Sequence, residues 1–290
     1  MFQSCDFIYL VLLIYHGVQL NPNITLPFLG GIPIFSLQVE PLGSLGFTKY
    51  HGYCTDRVWS TDHSPPPLPV PSTNTPYVDW LLELTEEELE KLPNKCEIRL
   101  RVGLGPEGQL VLTFRVKNID SKPFSFPFAC HTYFSVSDIS KIRVEGLETS
   151  DYIHNTKNNV RLTEQGNPIT VEEEIDRVYI STPNKISIID HQRKKTYVIL
   201  KQGLPDAVIW NPWDKQKKIK SNVDFRPKDF LPGSYMGFKN TDYKQMLCVG
   251  AAAIENPIKL EEGEEWIGRQ EISCVYNSGQ LDPQRVLMGT

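Results

Sequence analysis

Three ionisable residues sit in apolar surroundings and could exchange protons. His131 follows the run Phe124–Cys130 and opens His131-Thr132-Tyr133-Phe134. Asp206 lies within Leu204-Pro205-Asp206-Ala207-Val208-Ile209-Trp210-Asn211-Pro212-Trp213. Glu255 ends Ala251-Ala252-Ala253-Ile254-Glu255 and precedes Asn256-Pro257. An ionisable group carried into apolar surroundings is costly unless it is paired, so each is a candidate for function. An imidazole and carboxylates have pKa values that neighbours can move toward neutrality, which is what general acid–base catalysis needs. Taken singly the signals are modest. A lone histidine in a strand is more often a satisfied core residue, and a lone carboxylate at a strand end is usually a solvated edge residue. Trp80, Trp210, Trp213 and Trp266 could stack on a sugar ring, but tryptophans in a sandwich more often belong to the core.

The elements that must position these residues are strands. Ile98, Leu100, Val102 and Leu104 alternate with polar or small residues, and Leu110, Leu112, Phe114 and Val116 repeat the pattern beyond the turn Gly105-Pro106-Glu107-Gly108. Two period-2 runs around a Gly/Pro turn predict a β-hairpin with one buried face. Residues 186–190 and 196–200 flank the charged tip 191–195 and predict a second hairpin. Further short strands are expected at 141–144, 177–181, 206–210 and 270–275. Many short strands with frequent turns predict an all-β, antiparallel sandwich. Helix signals are confined to Thr85 and Glu88, a capping-box pair that starts a short helix over 86–92 before Pro93 stops it. Residues 64–76 are proline-rich and read as an extended loop, and 221–238 as a surface loop or insertion.

Composition narrows the partners. The chain has 290 residues and a net charge of −5, which disfavours a phosphate backbone as ligand, so neither nucleic acid nor a membrane is expected as a partner. The six cysteines form no CxxC pair and no zinc-like cluster, which reads as reduced thiols in a cytoplasmic protein. The apolar stretch 7–15 is about half the length of a membrane span, and no basic residue precedes it, so a buried strand is favoured over a signal peptide.

Taken together, the motifs resemble a known family. Phe124-Ser125-Phe126, His131-Thr132-Tyr133-Phe134, Gly146-Leu147-Glu148, the 204–213 segment, Ala253-Ile254-Glu255-Asn256-Pro257-Ile258 and Glu264-Glu265-Trp266-Ile267-Gly268-Arg269-Gln270-Glu271 follow the order found in hexose-6-phosphate mutarotases (glucose-6-phosphate 1-epimerases), especially plant-type members. The resemblance runs from about Gly30 to Gln284. It implies an antiparallel supersandwich of the galactose mutarotase type with the active site in a concave face. The corresponding organisation is an atypical N-terminal segment at 1–29, a sandwich domain at 30–284 carrying the inserted loop 221–238, and a tail at 285–290. The implied reaction interconverts the α and β anomers of an aldohexose 6-phosphate by acid/base ring opening. By resemblance His131 is the catalytic acid, while Asp206, Arg57 and His51 bind substrate, and Asp206 orients either the sugar hydroxyls or His131. No cofactor and no metal are implied; the partner is a small sugar or sugar phosphate, and the working unit a monomer.

The chain also departs from the family pattern. Where the family carries its glutamate base, in Cys-Val-Glu-Ala-Ala, this chain reads Cys248-Val249-Gly250-Ala251-Ala252. Two phosphate-site arginines are replaced by Leu29 and Thr55. Glu255 lies five residues beyond position 250, which on a strand turns it to the other face and ~17 Å along, so it is expected outside the pocket formed around His131, Asp206 and Gly250. A glutamate returned to position 250 is expected to raise turnover if the backbone accepts a side chain there. The competing readings are a non-catalytic carbohydrate-binding protein and a mutarotase for a sugar without phosphate.

Overall fold

The computed structural model describes residues 34–36, 59–68, 76–82, 86, 94–214 and 242–276. The segments 1–29, 221–238 and 285–290, the stretch 7–15, the helix over 86–92 apart from Glu86, and the residues Leu29, His51, Thr55 and Arg57 lie outside them. The described residues form two antiparallel eight-stranded sheets. In chain order the strands are β1 (Ile34–Ser36), β2 (Trp59–Thr61), β3 (Tyr77–Leu82), β4 (Cys96–Leu104) and β5 (Leu110–Asn118). There follow β6 (Phe124–Cys130), β7 (Tyr133–Ser135), β8 (Ile142–Glu145), β9 (Asp151–His154), β10 (Val160–Thr163) and β11 (Ile175–Tyr179). The last are β12 (Lys185–Asp190), β13 (Lys195–Gln202), β14 (Asp206–Asn211), β15 (Met246–Leu260) and β16 (Glu265–Tyr276). One sheet runs β1-β6-β15-β14-β11-β9-β10, with β7 also on β15; the other runs β2-β3-β4-β5-β16-β13-β12-β8.

Both hairpins expected from the alternation are present. On β4 and β5 the apolar residues meet across the ladder, Leu100 opposite Phe114 and Val102 opposite Leu112, and all four are buried. The second hairpin pairs β12 with β13, Ile186 opposite Ile199. One face of each sheet buries against the other: Phe114 of the β5 sheet meets Phe128 of the β6 sheet with ring centroids 4.8 Å apart, and Trp266 stacks on Phe128 at 5.0 Å. Aromatic residues supply this seam because each buries a large area and tilted pairs are favoured over parallel ones.

Two features shape β15, a bulge beside the site and a buried asparagine at its opposite end. The ladder of β15 with β6 shifts register between Ala253 and Ile258, where Asn256-Pro257 sits. Proline has no N–H to give a ladder, so it is confined to such bulges. At the far end of the same strand the fully buried Asn118 donates from Nδ2 to the carbonyls of Lys122, Leu260 and Glu261 at 2.9–3.2 Å, and its Oδ1 accepts from the Asp120 amide. One side chain thus ties the β5–β6 connection to the β15–β16 turn. Buried carbonyls stripped of partners cost about 1–3 kcal/mol each. Asn118→Ala is therefore expected to lower unfolding free energy by about 2–4 kcal/mol in a urea titration, with an unchanged far-ultraviolet circular dichroism spectrum in the absence of denaturant.

Candidate active site

Residues directly opposite one another in antiparallel strands share a face, so register alone shows which side chains meet. Val208 of β14 lies opposite Val178 of β11 and opposite Gly250 of β15. The pairs Ala252–Ala129 and Cys248–Tyr133 bracket position 250 and put His131 across from it. One row therefore reads Val178, Val208, Gly250, His131. On one side of it lies the row Asp206, Ala252, Ala129. On the other lies Asp176, Trp210, Cys248, Tyr133. These rows face away from the inter-sheet core: Ala129, Val178, Val208, Ala252 and Ile254 form their own apolar cluster, with Ile153 packed against it. The structure thus brings His131, Asp206 and Gly250 onto one face, as the resemblance implies.

Gly250 is not an empty socket for a carboxylate. A Cβ built on it falls 1.5 Å from the carbonyl oxygen of Cys130 and 2.6 Å from its carbon. The strand pair has closed over this position, and the obstacle is backbone, which cannot swing aside as a long side chain could. The condition on which a glutamate at 250 is expected to raise turnover, a backbone that accepts a side chain there, is not met.

Asp206 anchors the backbone. It is fully buried; its Oδ1 accepts from the Ser181 amide at 3.0 Å, and its Oδ2 accepts from the amides of Ile254 at 2.7 Å and Glu255 at 3.0 Å. Both oxygens accept from the backbone, at the start of the β15 bulge and just beyond the end of β11. Beside it, the buried Lys201 donates to the carbonyls of Thr182, Leu204 and Pro205 at 2.8–3.2 Å. Burial pulls the Lys201 pKa down to about 8, and the charge of Asp206 opposes that fall. Glu255 pairs with Arg161 at 3.0 Å, and Arg161 also holds Asp151 at 3.1 Å, so Glu255 belongs to a half-exposed ion cluster that reaches the edge strand β10.

A second carboxylate on the His131 face is Asp176, which the sequence motifs do not single out. Its pKa is raised to about 6 by burial, against the hydrogen bond that Asn155 Nδ2 gives its Oδ1 at 2.7 Å. In its row Trp210 and Cys248 are buried, whereas Asp176 and Tyr133 are partly exposed. Burial pushes the Tyr133 hydroxyl well above its usual range, and burial also pushes up the Cys248 thiol, with the nearby Asp176 charge adding to it. Tyr133 stands edge-on to Trp210 with centroids 6.2 Å apart. A signal was present in the sequence: aspartate is depleted in strands, and Asp176 interrupts an apolar strand segment on the face that carries Val178. Of the four tryptophans, Trp210 shares this face, whereas Trp80 and Trp266 pack in the inter-sheet core and Trp213 packs on its margin against Tyr243. Among the described residues no three His, Cys, Asp or Glu side chains stand together as metal ligands would, and Cys96, Cys130, Cys248 and Cys274 are free thiols.

A profile of the family described as Aldose 1-epimerase matches residues 29–273. A protein of Cenchrus ciliaris named "Putative glucose-6-phosphate 1-epimerase" is 51% identical over 265 residues, which cover 90% of this chain and 75% of that one. A protein of the same name from Haemophilus influenzae is 25% identical over 136 residues, 46% of this chain and 42% of its own. Among solved structures, a "putative mutarotase" from Salmonella typhimurium superposes with a TM-score of 0.65 at 20% identity, covering 89% of this chain and 78% of that chain. A galactose mutarotase-like protein from Clostridium acetobutylicum gives a TM-score of 0.58 at 16% identity, covering 85% and 79%. Likeness at these identities concerns the fold, and it agrees with the two-sheet sandwich.

The contact at Gly250 carries a test. Gly250→Ala is expected to lower the melting temperature by several degrees, since even a methyl group meets the Cys130 carbonyl. Gly250→Glu is expected to lower it further and to leave turnover no higher than that of the unaltered chain. Differential scanning fluorimetry and an anomerisation assay read both.

Proposed function

Because the chain belongs to the aldose 1-epimerase family and is an isomerase of that kind, we propose that it interconverts the α and β anomers of an aldohexose 6-phosphate, with glucose 6-phosphate as substrate. The 51% identity to the plant relative named for that activity carries the reading. The chemistry needs a base to take the proton from the C1 hydroxyl and an acid to protonate the ring oxygen as the C1–O5 bond breaks. C1 then turns, and the ring closes on its other face with the protons returned. His131 serves as the acid. Asp176 is the proton acceptor, since a carboxyl with a pKa near 6 is ionised at pH 7 yet basic enough to accept a proton in the transition state. Register puts the two residues on one sheet face in adjacent rows, Asp176 on β11 and His131 between β6 and β7. Tyr133 and Trp210 offer apolar surface to the ring, while Asp206 keeps to the backbone. Arg57 and His51 are assigned to the phosphate end of the sugar by resemblance. The free thiols fit a reducing compartment, and we infer a cytoplasmic setting with the chain working as a monomer on its small substrate.

The direct test follows the anomerisation of α-glucose 6-phosphate, free glucose and free galactose against their spontaneous rates. Acceleration with the phosphosugar and its loss in His131→Gln is the expected result. Acceleration of galactose alone would transfer the reading to a sugar without phosphate, and no acceleration of any sugar would overturn catalysis.

Asp176 gives a second prediction in which activity and stability move in opposite directions. Its pKa is raised in the folded chain above the usual carboxylate value, so the folded state holds this proton more tightly than the unfolded one. Its contribution to stability is then lost as pH rises from about 4 to about 6. Asp176→Asn removes that loss and is expected to stabilise the chain at pH 7 by up to about 3 kcal/mol, because one pKa unit is worth about 1.4 kcal/mol. The same substitution is expected to lower kcat by about 10²-fold or more and to abolish the rise of kcat/KM through pH 6. Unchanged kcat in Asp176→Asn would exclude it as the base.

A further inference from the structure

Gln270 of β16 belongs to the opposite sheet, yet its side chain crosses the core to the strand break that carries His131. It is fully buried. Its Oε1 accepts from the Ala251 amide at 2.9 Å, and its Nε2 donates to Thr132 Oγ1 at 2.9 Å. Thr132 is in turn held by its carbonyl, which accepts from the Val249 amide at 3.0 Å. In an antiparallel ladder, hydrogen-bonded pairs alternate along the strands, so the pair after Val249–Thr132 is Ala251–Cys130. Regular pairing would give the Ala251 amide to the Cys130 carbonyl. Instead that carbonyl stands over Gly250, 1.5 Å from where a Cβ would be, and the Ala251 amide goes to Gln270. The exchange leaves His131 and Thr132 outside the strands on either side, β6 ending at Cys130 and β7 starting at Tyr133.

We propose that Gln270 is a positioning residue for His131: by taking the Ala251 amide and holding the Thr132 hydroxyl, it keeps the Cys130–His131 peptide turned out of the ladder and so sets where the imidazole stands. The assignment rests on the reading of His131 as the acid, but its geometry can be probed without any sugar. With Gln270 replaced by leucine, the buried Ala251 amide has lost its acceptor, and the one within reach is the Cys130 carbonyl. The peptide turns back into the ladder, His131 is displaced, and the space over Gly250 opens.

The test uses the full-length chain with Gln270→Leu, the milder Thr132→Val, and Asn118→Ala as a control with a comparable loss of buried amide bonds at the far end of β15. Three measurements are made at a temperature where each variant is folded. The ring ¹H–¹⁵N spectrum of histidine-labelled protein, with the His131 signals assigned through His131→Gln, is expected to move in Gln270→Leu and Thr132→Val and to stay in place in Asn118→Ala. In anomerisation, kcat is expected to fall about tenfold or more with KM within about threefold for the first two variants, and neither to change for Asn118→Ala. Gly250→Ala is expected to lower the melting temperature less in the Gln270→Leu background than in the unaltered chain. His131 signals and kcat unmoved, with stability alone reduced and additive with Gly250→Ala, would make Gln270 a core residue only and overturn the proposal. Should the unaltered chain accelerate no sugar, the proposed function fails, and the ring spectrum with the Gly250→Ala coupling still decides for or against Gln270. If Gln270→Leu does not fold, Thr132→Val decides by the same three readouts.

Discussion

The arrangement depends on a polar knot at the end of β14. The carboxylate of Asp206 accepts from three amides, those of Ser181, Ile254 and Glu255, and the ammonium of Lys201 donates to three carbonyls, those of Thr182, Leu204 and Pro205. The two residues come from different sheets, Asp206 from β14 and Lys201 from β13. Opposite charges taken out of water recover their desolvation cost only when nearly every donor and acceptor finds a partner. Here the partners are backbone groups that strands leave over: the turn after β11, the turn before β14, and the start of the β15 bulge at Asn256-Pro257. The knot therefore fixes the phase of three strands at once. A strand that slipped by one residue would turn all its side chains to the other face.

That phase is what assembles the site. Because β14 and β15 are locked by Asp206 opposite Ala252, Val208 and Gly250 must share a row, and His131 completes it. The neighbouring row of Asp176, Trp210, Cys248 and Tyr133 follows from the same register. No loop described in the structure is needed to bring the imidazole and the carboxylate to one face. Asp176 is held on β11, and His131 in the two-residue break between β6 and β7, where Gln270 bonds the flanking Ala251 amide and the Thr132 hydroxyl.

Much of this was legible in the sequence, and for a physical reason. Period-2 alternation reports which face of a strand is buried, so the β4–β5 and β12–β13 hairpins could be read from Ile98 to Val116 and from Ile186 to Leu200 directly. His131 was legible because an imidazole at the end of an apolar run is conspicuous. Asp206 is equally conspicuous, and the sequence does not reveal that its oxygens also anchor the backbone. Burial identifies a costly carboxylate, but only coordinates show whether its oxygens are satisfied by sugar hydroxyls or by amides far apart in sequence, here 181, 254 and 255. The local signal at Asp176, one aspartate within a short strand, is faint; its meaning comes from Trp210 and Cys248, 34 and 72 positions away, which register sets beside it. The closure over Gly250 was beyond reach too, since it depends on a carbonyl of another strand, Cys130.

The two aspartates show how one sheet face separates scaffold from chemistry. Asp206 is surrounded by amide dipoles directed at it, and every lone pair used there is withdrawn from other ligands. Asp176 receives one amide from Asn155 and otherwise meets an aromatic ring and a thiol, so little stabilises its charge. A carboxylate poor in donors is the one that gains from taking a proton. The same distinction explains how position 250 can be glycine in a chain built for proton exchange. With the Cys130 carbonyl over that position, the face has no room there for a third carboxylate. On this face, among the described residues, Asp176 is the carboxylate whose row adjoins His131 and whose oxygens the backbone does not claim.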